Sequence, residues 1–362
     1  MSPDLARVAS AADQILKTVP EGLLRGEIPV SLYGLGFLGR WVLPRLKSQG
    51  IRLVSCFDAN MALKGTSADG LPVYDARDLA LARPEFVFIS ARHAVKPVSA
   101  MLSALDIAHV SYDAWHVAAD FAAFRDIHEY ILSDERSKEV LRAVLMTMLT
   151  GELEYCKTVC EGDQYFCLPR FRDSDNDIFV DAGAYDGDSA ENFIRAHRGV
   201  FAKIVAFEPG PRQFADLKDR AAYLMKEWSL EAGRIELINA GLGEVQYTTQ
   251  AGSANGQLTS FAKGAYGANG ADISIVSLDH MLNETRITFL KADVEGMEMA
   301  MLKGAQSTIR RDKPKIAVCV YHYPSDIPEI ANYLRVLVPE YRFALRHHSP
   351  QLMETVLYCW VD

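Results

Sequence analysis

The residues best suited to acid–base chemistry follow two predicted strands in the second half of the chain. Lys291, Asp293 and Glu295 surround the end of one strand, and His322 follows the next. Open α/β sheets bind ligands at the carboxyl ends of their strands, so we expect these side chains to lie close together. A histidine at that edge could accept a proton near neutral pH. The alternative is that His322 is a structural histidine at a strand end.

A glycine-bearing loop earlier in the chain is suited to binding a nucleoside. Asp181, Gly183 and Gly187 form the pattern D-x-G-x-x-x-G directly after a predicted strand. Glycine lets a ligand approach the backbone closely because it has no Cβ. Glu208 ends the next strand, a position from which an acid can bind both ribose hydroxyls. Because this loop lacks the phosphate-binding pattern G-x-G-x-x-G, it favours an adenosyl ligand without phosphates, such as S-adenosylmethionine. A tight turn beside an unrelated acid is the alternative.

Further positions complete the predicted cofactor site. Tyr185 lies within the same loop, and Asp293 is assigned to the cofactor as well as to catalysis. Asn239 and Leu242 follow the third strand, at the level where an adenine ring would lie, with Leu242 as an apolar wall. A plain turn accounts for each of these two residues equally well.

A second glycine pattern near the N-terminus is typical of dinucleotide binding. Gly34, Gly36 and Gly39 follow a predicted strand and open a predicted helix, and Asp58 ends the next strand. This is the context that the dinucleotide fingerprint requires. Only about half of a double Rossmann unit is present, with no separate domain for hydride transfer. Binding of a nucleotide or nucleotide-sugar, regulation and a purely structural role therefore all remain open.

Length and composition indicate a folded protein of more than one domain. The chain has 362 residues, 49% hydrophobic and 23% charged, with a net charge of −9. At about 150 residues per domain, this length corresponds to roughly two domains or slightly more. The acidic balance argues against nucleic acid and anionic membranes as partners. We expect no membrane span and no export signal, and therefore a cytoplasmic protein with reduced thiols.

The order of predicted elements indicates two α/β domains. We predict an N-terminal helix over 1–22, a Rossmann-like domain over 23–115, a helical linker over 116–169 and a second α/β domain over 170–362. Alternation of strands and helices implies parallel sheets with crossover connections. A glycine-rich stretch at 251–270 suggests a loop or hairpin.

The second domain resembles the FkbM family of S-adenosylmethionine-dependent methyltransferases. The resemblance covers about 170–362 and, more weakly, the helical region around 133–151. The motif at Phe179–Asp188 is by itself generic to methyltransferases, whereas the combination of all the matching segments is specific. The matching segments are Phe179–Asp188, Val205–Pro209, Leu290–Glu298, Lys303–Ala305, Lys313–Ala317, Val320–Asp326, Arg346–Ser349 and Glu354–Tyr358.

This resemblance implies a seven-stranded Rossmann-like sheet and methylation of an oxygen, often on a sugar or a glycosylated natural product. Carried over to this sequence, the cofactor-binding positions are Asp181, Gly183, Gly187 and Glu208. The positions facing the acceptor are Asp293, Glu295 and His322.

The resemblance also implies a mechanism. The sulfonium methyl is already activated, so the enzyme mainly aligns the acceptor for in-line displacement. We predict His322 as the first candidate for the general base and Asp293 as the second, with Glu295 and Lys291 orienting the acceptor or the base. Asp293, Glu295 and His322 are also possible ligands of a divalent metal, although no ligand spacing requires one.

The expected partner is a small-molecule or glycan acceptor, and a homo-oligomer is compatible with the sequence. Two other functions stay open. One is an NAD(P)- or nucleotide-sugar-binding oxidoreductase or sensor that depends on the N-terminal Rossmann-like domain. The other is a non-catalytic protein that binds S-adenosylmethionine.

Overall fold

The computed structural model describes residues 3–250 and 272–362. The glycine-rich stretch at 251–270, predicted to be a loop or hairpin, lies outside the described residues. The predicted α/β class is confirmed, since both large sheets are built mainly from parallel strands. Within the described residues, no helix combines the length and the apolar character needed to cross a membrane.

The chain divides into two compact units. The first comprises Met1–Glu129 and Leu141–Thr158, and the second comprises Tyr130–Val140 and Val159–Asp362. This division into units does not test the domain boundaries that we inferred from the sequence. Those boundaries stay a prediction.

The first unit contains a six-stranded sheet with the order β3-β4-β2-β1-β5-β6. Its pairs are parallel except for the antiparallel β3–β4 pair. This sheet reverses its strand order between β1 and β5, which is where open α/β sheets bind ligands. The strands are β1 (Val30–Tyr33), β2 (Leu53–Asp58), β3 (Ser67–Ala68), β4 (Leu71–Asp75), β5 (Phe86–Ile89) and β6 (Ala108–Ser111).

The second unit contains the predicted seven-stranded sheet, with the order β15-β16-β14-β13-β7-β8-β9. All of its pairs are parallel except those of β16, which runs antiparallel to β14 and β15. The strands are β7 (Ile178–Ala182), β8 (Lys203–Phe207), β9 (Ile235–Ile238), β13 (Phe289–Ala292), β14 (Lys315–Cys319), β15 (Arg342–His347) and β16 (Thr355–Trp360).

A three-stranded sheet that the sequence did not predict also lies in the second unit. Its order is β10-β12-β11. The strands are β10 (Gly241–Leu242), β11 (Tyr247–Gln250) and β12 (Asp272–Val276).

Helices connect most of the strands, as the alternating pattern predicts. The α-helices are α1 (Pro3–Thr18), α2 (Phe37–Ser48), α3 (Leu79–Ala82), α4 (Val95–Ala104), α5 (Tyr112–Ala119), α6 (Phe121–Asp126), α7 (Glu135–Thr150), α8 (Glu154–Val159), α9 (Asp188–Ala196), α10 (Pro211–Glu227), α11 (Leu278–Met281), α12 (Glu298–Lys303), α13 (Gln306–Asp312) and α14 (Asp326–Leu337). Short 3₁₀ helices cover Leu23–Arg25, Met61–Leu63, Ala76–Asp78, Arg92–Ala94 and Pro169–Phe171, and a π-helix covers Ile127–Ile131.

The central strands of the second unit are buried almost throughout. Strands β7, β8, β13 and β14 are short apolar runs, as expected for parallel strands covered on both faces. Asp181 on β7 and Lys291 on β13 interrupt these runs, and they are direct neighbours in the parallel register. This pairing of opposite charges within the sheet marks the start of the candidate site.

Candidate active site

Asp181 and Lys291 form a buried ion pair at the carboxyl end of the sheet. Their side chains are 0% and 3% exposed, and Lys291 Nζ lies 3.0 Å from Asp181 Oδ1. Lys291 also donates to the carbonyl oxygen of Gly183 at 2.7 Å, and the Ser189 hydroxyl donates to Asp181 Oδ2 at 2.5 Å. Burial disfavours the ammonium, but the carboxylates of Asp181 and Asp293 outweigh burial and raise the pKa of Lys291. The pair therefore anchors the loop that follows β7.

The two glycines of that loop are required by its geometry. Gly183 has a φ of 80°, and a Cβ there would lie 1.9 Å from the carbonyl oxygen of Asp293. Gly187 has a φ of 91°, and its Cβ would lie 2.9 Å from Leu217 Cδ1. Glycine at position 183 thus lets the loop after β7 approach the backbone that carries Asp293.

Glu208 lies at the end of β8, where its carboxylate accepts two backbone N–H groups. Tyr185 N–H donates to Oε2 at 3.0 Å, and Gly210 N–H donates to Oε1 at 2.7 Å. Burial raises the pKa of Glu208 to about 7, despite these two hydrogen bonds. Glu208 therefore holds the glycine-bearing loop and changes its charge near neutral pH.

The remaining predicted cofactor residues lie around the same edge. Tyr185 is exposed and has a φ of 49°, a conformation unusual for a residue with a side chain. Asn239 donates to the carbonyl oxygen of Glu208 at 2.8 Å. Leu242 is buried on β10, and a Cβ on the preceding Gly241 would lie 3.4 Å from Pro209 Cβ. These contacts place the loop after β9 beside Glu208.

Carboxylates surround His322 from both sides of its ring. Nε2 lies 3.7 Å from Asp293 Oδ1 and 3.5 Å from Glu295 Oε2. Nδ1 lies 3.2 Å from Glu298 Oε1, which also accepts the N–H of Val294 at 2.9 Å. The structure thus brings together the three residues predicted to face the acceptor and adds Glu298, which the sequence places near the same strand end but to which we assigned no role.

The charge of His322 follows from this arrangement. Burial alone would lower the pKa of His322, but Glu298, Glu295 and Asp293 outweigh burial and hold that pKa well above the ordinary value. The neighbouring carboxylates therefore favour the protonated ring. Its side chain is only 5% exposed, against 22% for Asp293.

Comparison with known proteins identifies this part of the chain. Residues 181–344 match the model of the Methyltransferase FkbM domain. We name residues 181–344 the FkbM domain, after the model that they match. No protein of curated function matches the sequence.

A solved structure has a similar fold over nearly the whole chain. The crystal structure of methyltransferase FkbM from Methylobacillus flagellatus KT is 23% identical, covers 99% of each chain and has a TM-score of 0.62. An rRNA methylase from Streptococcus thermophilus is 16% identical over 52% of this chain and 89% of its own, with a TM-score of 0.33. UDP-D-quinovosamine 4-dehydrogenase from Vibrio fischeri is 18% identical over 23% of this chain and 76% of its own, with a TM-score of 0.21. The first match shows the fold, and the other two carry no conclusion about function.

Several residues that contact Asp293 or Glu354 were not predicted from the sequence. Tyr165 and Tyr321 donate their hydroxyl hydrogens to Asp293 Oδ2 and Oδ1, at 3.1 and 3.3 Å. Gln164 donates to Glu354 Oε2 at 2.6 Å, and burial raises the pKa of Glu354. Glu354 stands within the motifs of the FkbM resemblance and could have been proposed from them. No sequence signal points to Gln164 or Tyr165, which lie outside those motifs.

Potential metal ligands converge on Asp293 of the FkbM domain. Among the residues that the structure describes, two sets have ligand atoms within 4.8 Å of one another. The sets are Asp293 with Glu298 and His322, and Asp293 with Cys319 and Glu354.

Two C-terminal histidines of the FkbM resemblance have structural contacts. His347 is fully buried, with Nδ1 2.9 Å from Thr355 Oγ1 and Nε2 2.9 Å from the carbonyl oxygen of Gln351. Burial lowers the pKa of His347 to about 4, so its ring is neutral at pH 7. His348 lies 3.0 Å from the Tyr358 hydroxyl. Neither ring is directed to Asp293 by these contacts.

The first unit assembles its own predicted site, separately from the FkbM domain. Gly34 has a φ of 101°, and a Cβ on Gly39 would lie 2.0 Å from the Gly34 carbonyl oxygen. A Cβ on Gly36 would meet no described atom within 4 Å, so this glycine faces open space. Asp58 Oδ2 accepts the N–H of Leu35 at 2.6 Å. The glycines and Asp58 thus come together at the end of β1 and β2, as predicted.

Proposed function

We propose that the methyltransferase domain transfers a methyl group from S-adenosylmethionine to a hydroxyl oxygen of a sugar, a nucleotide-sugar, a glycan or a glycosylated natural product. The observation that supports this proposal is the position of Asp293 directly beside the loop at Gly183. The expected methyl donor site and a partly exposed carboxylate therefore share one edge of the sheet. Because the sulfonium methyl is already activated, alignment and removal of the hydroxyl proton are the remaining tasks.

Asp293 fits the role of general base better than His322. Asp293 is the more exposed of the two, with 22% of its side chain accessible against 5% for His322. The neighbouring carboxylates favour the protonated form of His322, and that form has no lone pair with which to accept a proton. We therefore propose that Asp293 accepts the proton of the acceptor hydroxyl and that His322 supplies a positive charge beside Asp293.

The cofactor residues divide into two groups by their contacts. Asp181 is fully buried and its two oxygens face Lys291 and Ser189. We therefore propose that Asp181 fixes the conformation of the cofactor loop, which is the loop that follows β7. We assign contact with the nucleoside to Glu208 and to the exposed Tyr185. Glu208 would accept hydrogen bonds from the ribose hydroxyls while keeping its bonds to the loop.

The charge around Asp293 narrows the class of acceptor. Glu295 and Glu298 add negative charge to the same region, His322 adds one positive charge, and the positive charge of Lys291 is paired with Asp181. A phosphate next to the reacting hydroxyl would be repelled by these groups. We therefore favour a neutral glycosyl acceptor over one with a phosphate close to the methylated oxygen.

Mass spectrometry of the reaction products tests this function. The full chain is incubated with S-adenosylmethionine and a panel of neutral glycans, glycosylated natural products and nucleotide-sugars. Addition of one methyl group to a neutral acceptor is the expected result. Parallel reactions with EDTA and with added Mg²⁺ examine a divalent ion at Asp293, Glu298 and His322, where His322 would have to lose its proton to become a ligand. Cofactor binding with no transfer to any acceptor would favour a non-catalytic S-adenosylmethionine-binding protein.

Cofactor affinity is expected to rise with pH through the titration of Glu208. Since burial raises the pKa of Glu208 to about 7, this carboxyl ionises between about pH 6 and about pH 8. The ionised form is the better acceptor for two ribose hydroxyls, so binding favours deprotonation and strengthens as pH rises. Calorimetry over this range compares the wild type with Glu208→Gln. We expect the variant to bind about tenfold more weakly and to lose this part of the pH dependence. Identical pH profiles would contradict the assignment.

We propose a nucleotide as the ligand of the first unit, as a second and independent function. The open space at Gly36 and the position of Asp58 beside the same loop support this proposal. These features are those by which a dinucleotide fold admits phosphate and ribose groups.

NADH fluorescence titration tests the first unit. We expect the wild type to bind NADH and Asp58→Asn to bind it at least tenfold more weakly, because the ribose loses a charged acceptor. Asp13→Asn, which changes an exposed aspartate on α1, is the matched control and should bind as the wild type does. Equal binding by the wild type and Asp58→Asn, or no binding by either, would remove this proposal.

A further inference from the structure

We infer that Tyr165 is a positioning residue for Asp293, and this inference rests on the proposed function of Asp293. Tyr165 lies before the segment that matches the methyltransferase domain, 181–344. It reaches Asp293 across 128 positions in the sequence, with its hydroxyl 3.1 Å from Oδ2. The Tyr321 hydroxyl lies 3.3 Å from Oδ1. Each oxygen of the carboxylate therefore accepts a hydrogen bond from a different phenol, which fixes the plane of the carboxylate.

The Tyr165 phenol is suited to a permanent donor role. The residue is 7% exposed, and burial raises the pKa of its hydroxyl well above the ordinary value, so the hydroxyl keeps its proton. Lys291 Nζ lies 5.3 Å from the centroid of the Tyr165 ring. Tyr165 thus contacts Asp293 through its hydroxyl and lies near the Lys291 ammonium through its ring.

The backbone of Tyr165 is held in an unusual conformation. Its φ is 70°, in the left-handed region that residues with side chains rarely adopt. Its N–H donates to the Tyr358 hydroxyl at 3.0 Å. That hydroxyl lies 3.0 Å from His348 Nε2, and His348 Nδ1 lies 3.0 Å from the carbonyl oxygen of Glu161.

These contacts assign a structural role to His348 and Tyr358, which lie in the C-terminal motifs and take no part in the proposed chemistry. His348 and Tyr358 hold the Tyr165 backbone, and the Tyr165 side chain holds Asp293. The Tyr165 hydroxyl donates its hydrogen to Asp293, so Tyr165 acts through the carboxylate. A strained residue fixed by several contacts is a common way to preorganise a site.

The test compares three phenylalanine variants that each remove one hydroxyl. Tyr165→Phe removes the donor to Oδ2 and keeps the ring. Tyr341→Phe is the matched control, because Tyr341 is also a buried tyrosine and its hydroxyl donates to the carbonyl oxygen of Pro314 at 2.7 Å. Tyr321→Phe removes the second donor to Asp293 and serves if Tyr165→Phe does not fold.

We expect Tyr165→Phe to lower kcat by about 10-fold to 100-fold, the range typical of residues that orient a functional group. The Kd of S-adenosylhomocysteine and the KM of the acceptor should change less than threefold, since the cofactor loop and the acceptor contacts remain. Tyr341→Phe should keep the wild-type kcat. Tyr321→Phe should lower kcat in the same way as Tyr165→Phe.

Wild-type kcat in Tyr165→Phe, or an equal loss of kcat in Tyr341→Phe, would overturn the inference. Failure of the proposed function is a separate outcome, because the wild type would then bind no S-adenosylhomocysteine or transfer no methyl group. In that case crystal structures of the wild type, Tyr165→Phe and Tyr341→Phe decide the matter. A carboxylate of Asp293 that keeps its orientation in Tyr165→Phe would show that Tyr165 does not position it.

Discussion

Asp293→Asn is expected to lower kcat by about 10²-fold to 10⁴-fold, the contribution typical of a general base. The substitution keeps the size of the side chain and one oxygen that can accept from a phenol, but it replaces the other oxygen with an NH₂ group and removes the basic carboxylate. Asp293 is partly exposed and lies at the carboxyl end of β13, beside the cofactor loop. Methyl-transfer kinetics with S-adenosylmethionine at saturation measure the effect.

Two variants make this result specific. Asp216→Asn changes an exposed aspartate on α10 and should keep the wild-type kcat. His322→Gln should lower kcat less than Asp293→Asn does, because His322 supplies charge and orientation in the proposed mechanism. If His322→Gln abolished turnover while Asp293→Asn retained it, the proton would go to His322 instead.

Asp181→Asn is expected to destabilise the second unit by about 3–5 kcal/mol, the usual cost of leaving one partner of a buried ion pair without its counter-charge. Lys291 would remain with 3% of its side chain exposed and 3.0 Å from an uncharged amide. The carbonyl oxygen of Gly183, which Lys291 also contacts, would lose its fixed position. Urea unfolding measures the loss of stability, and calorimetry should show that the variant no longer binds S-adenosylmethionine.

A double-variant cycle separates the ion pair from other effects of the substitution. Lys291→Met alone should destabilise the unit by a similar amount, since it leaves Asp181 buried and unpaired. The combined variant should recover at least half of the loss, because no uncompensated charge remains. Losses that simply add in the combined variant would show that the ion pair is not the source of the effect.

The chemistry at the strand ends was predictable from the sequence because it depends on local order. Asp181, Glu208 and Asp293 each come at or directly after a short apolar run, and parallel strands bring such positions to one edge. The seven-stranded sheet was implied by the resemblance to the FkbM family, whereas the alternation of strands and helices indicated only parallel sheets. The short strands β10–β12 were missed because two of them lack a long apolar run, and the third follows the glycine-rich stretch.

The state of His322 could not be predicted because it depends on contacts in three dimensions. The sequence shows a histidine at a strand end, which is compatible with a neutral base. Only the structure shows Glu298 at Nδ1 and Glu295 and Asp293 at Nε2, and these carboxylates reverse the effect of burial. Tyr165 was missed for a similar reason. Its contact with Asp293 is distant in sequence, and no periodic pattern or motif marks the residue.

Isothermal titration calorimetry of the full chain with S-adenosylmethionine tests the central claim most directly. We predict binding of one molecule per chain with a dissociation constant in the micromolar range, weakened in Glu208→Gln. S-adenosylhomocysteine should bind to the same site and compete. A folded wild-type chain that binds neither compound would contradict the claim that the second unit is an S-adenosylmethionine-dependent methyltransferase.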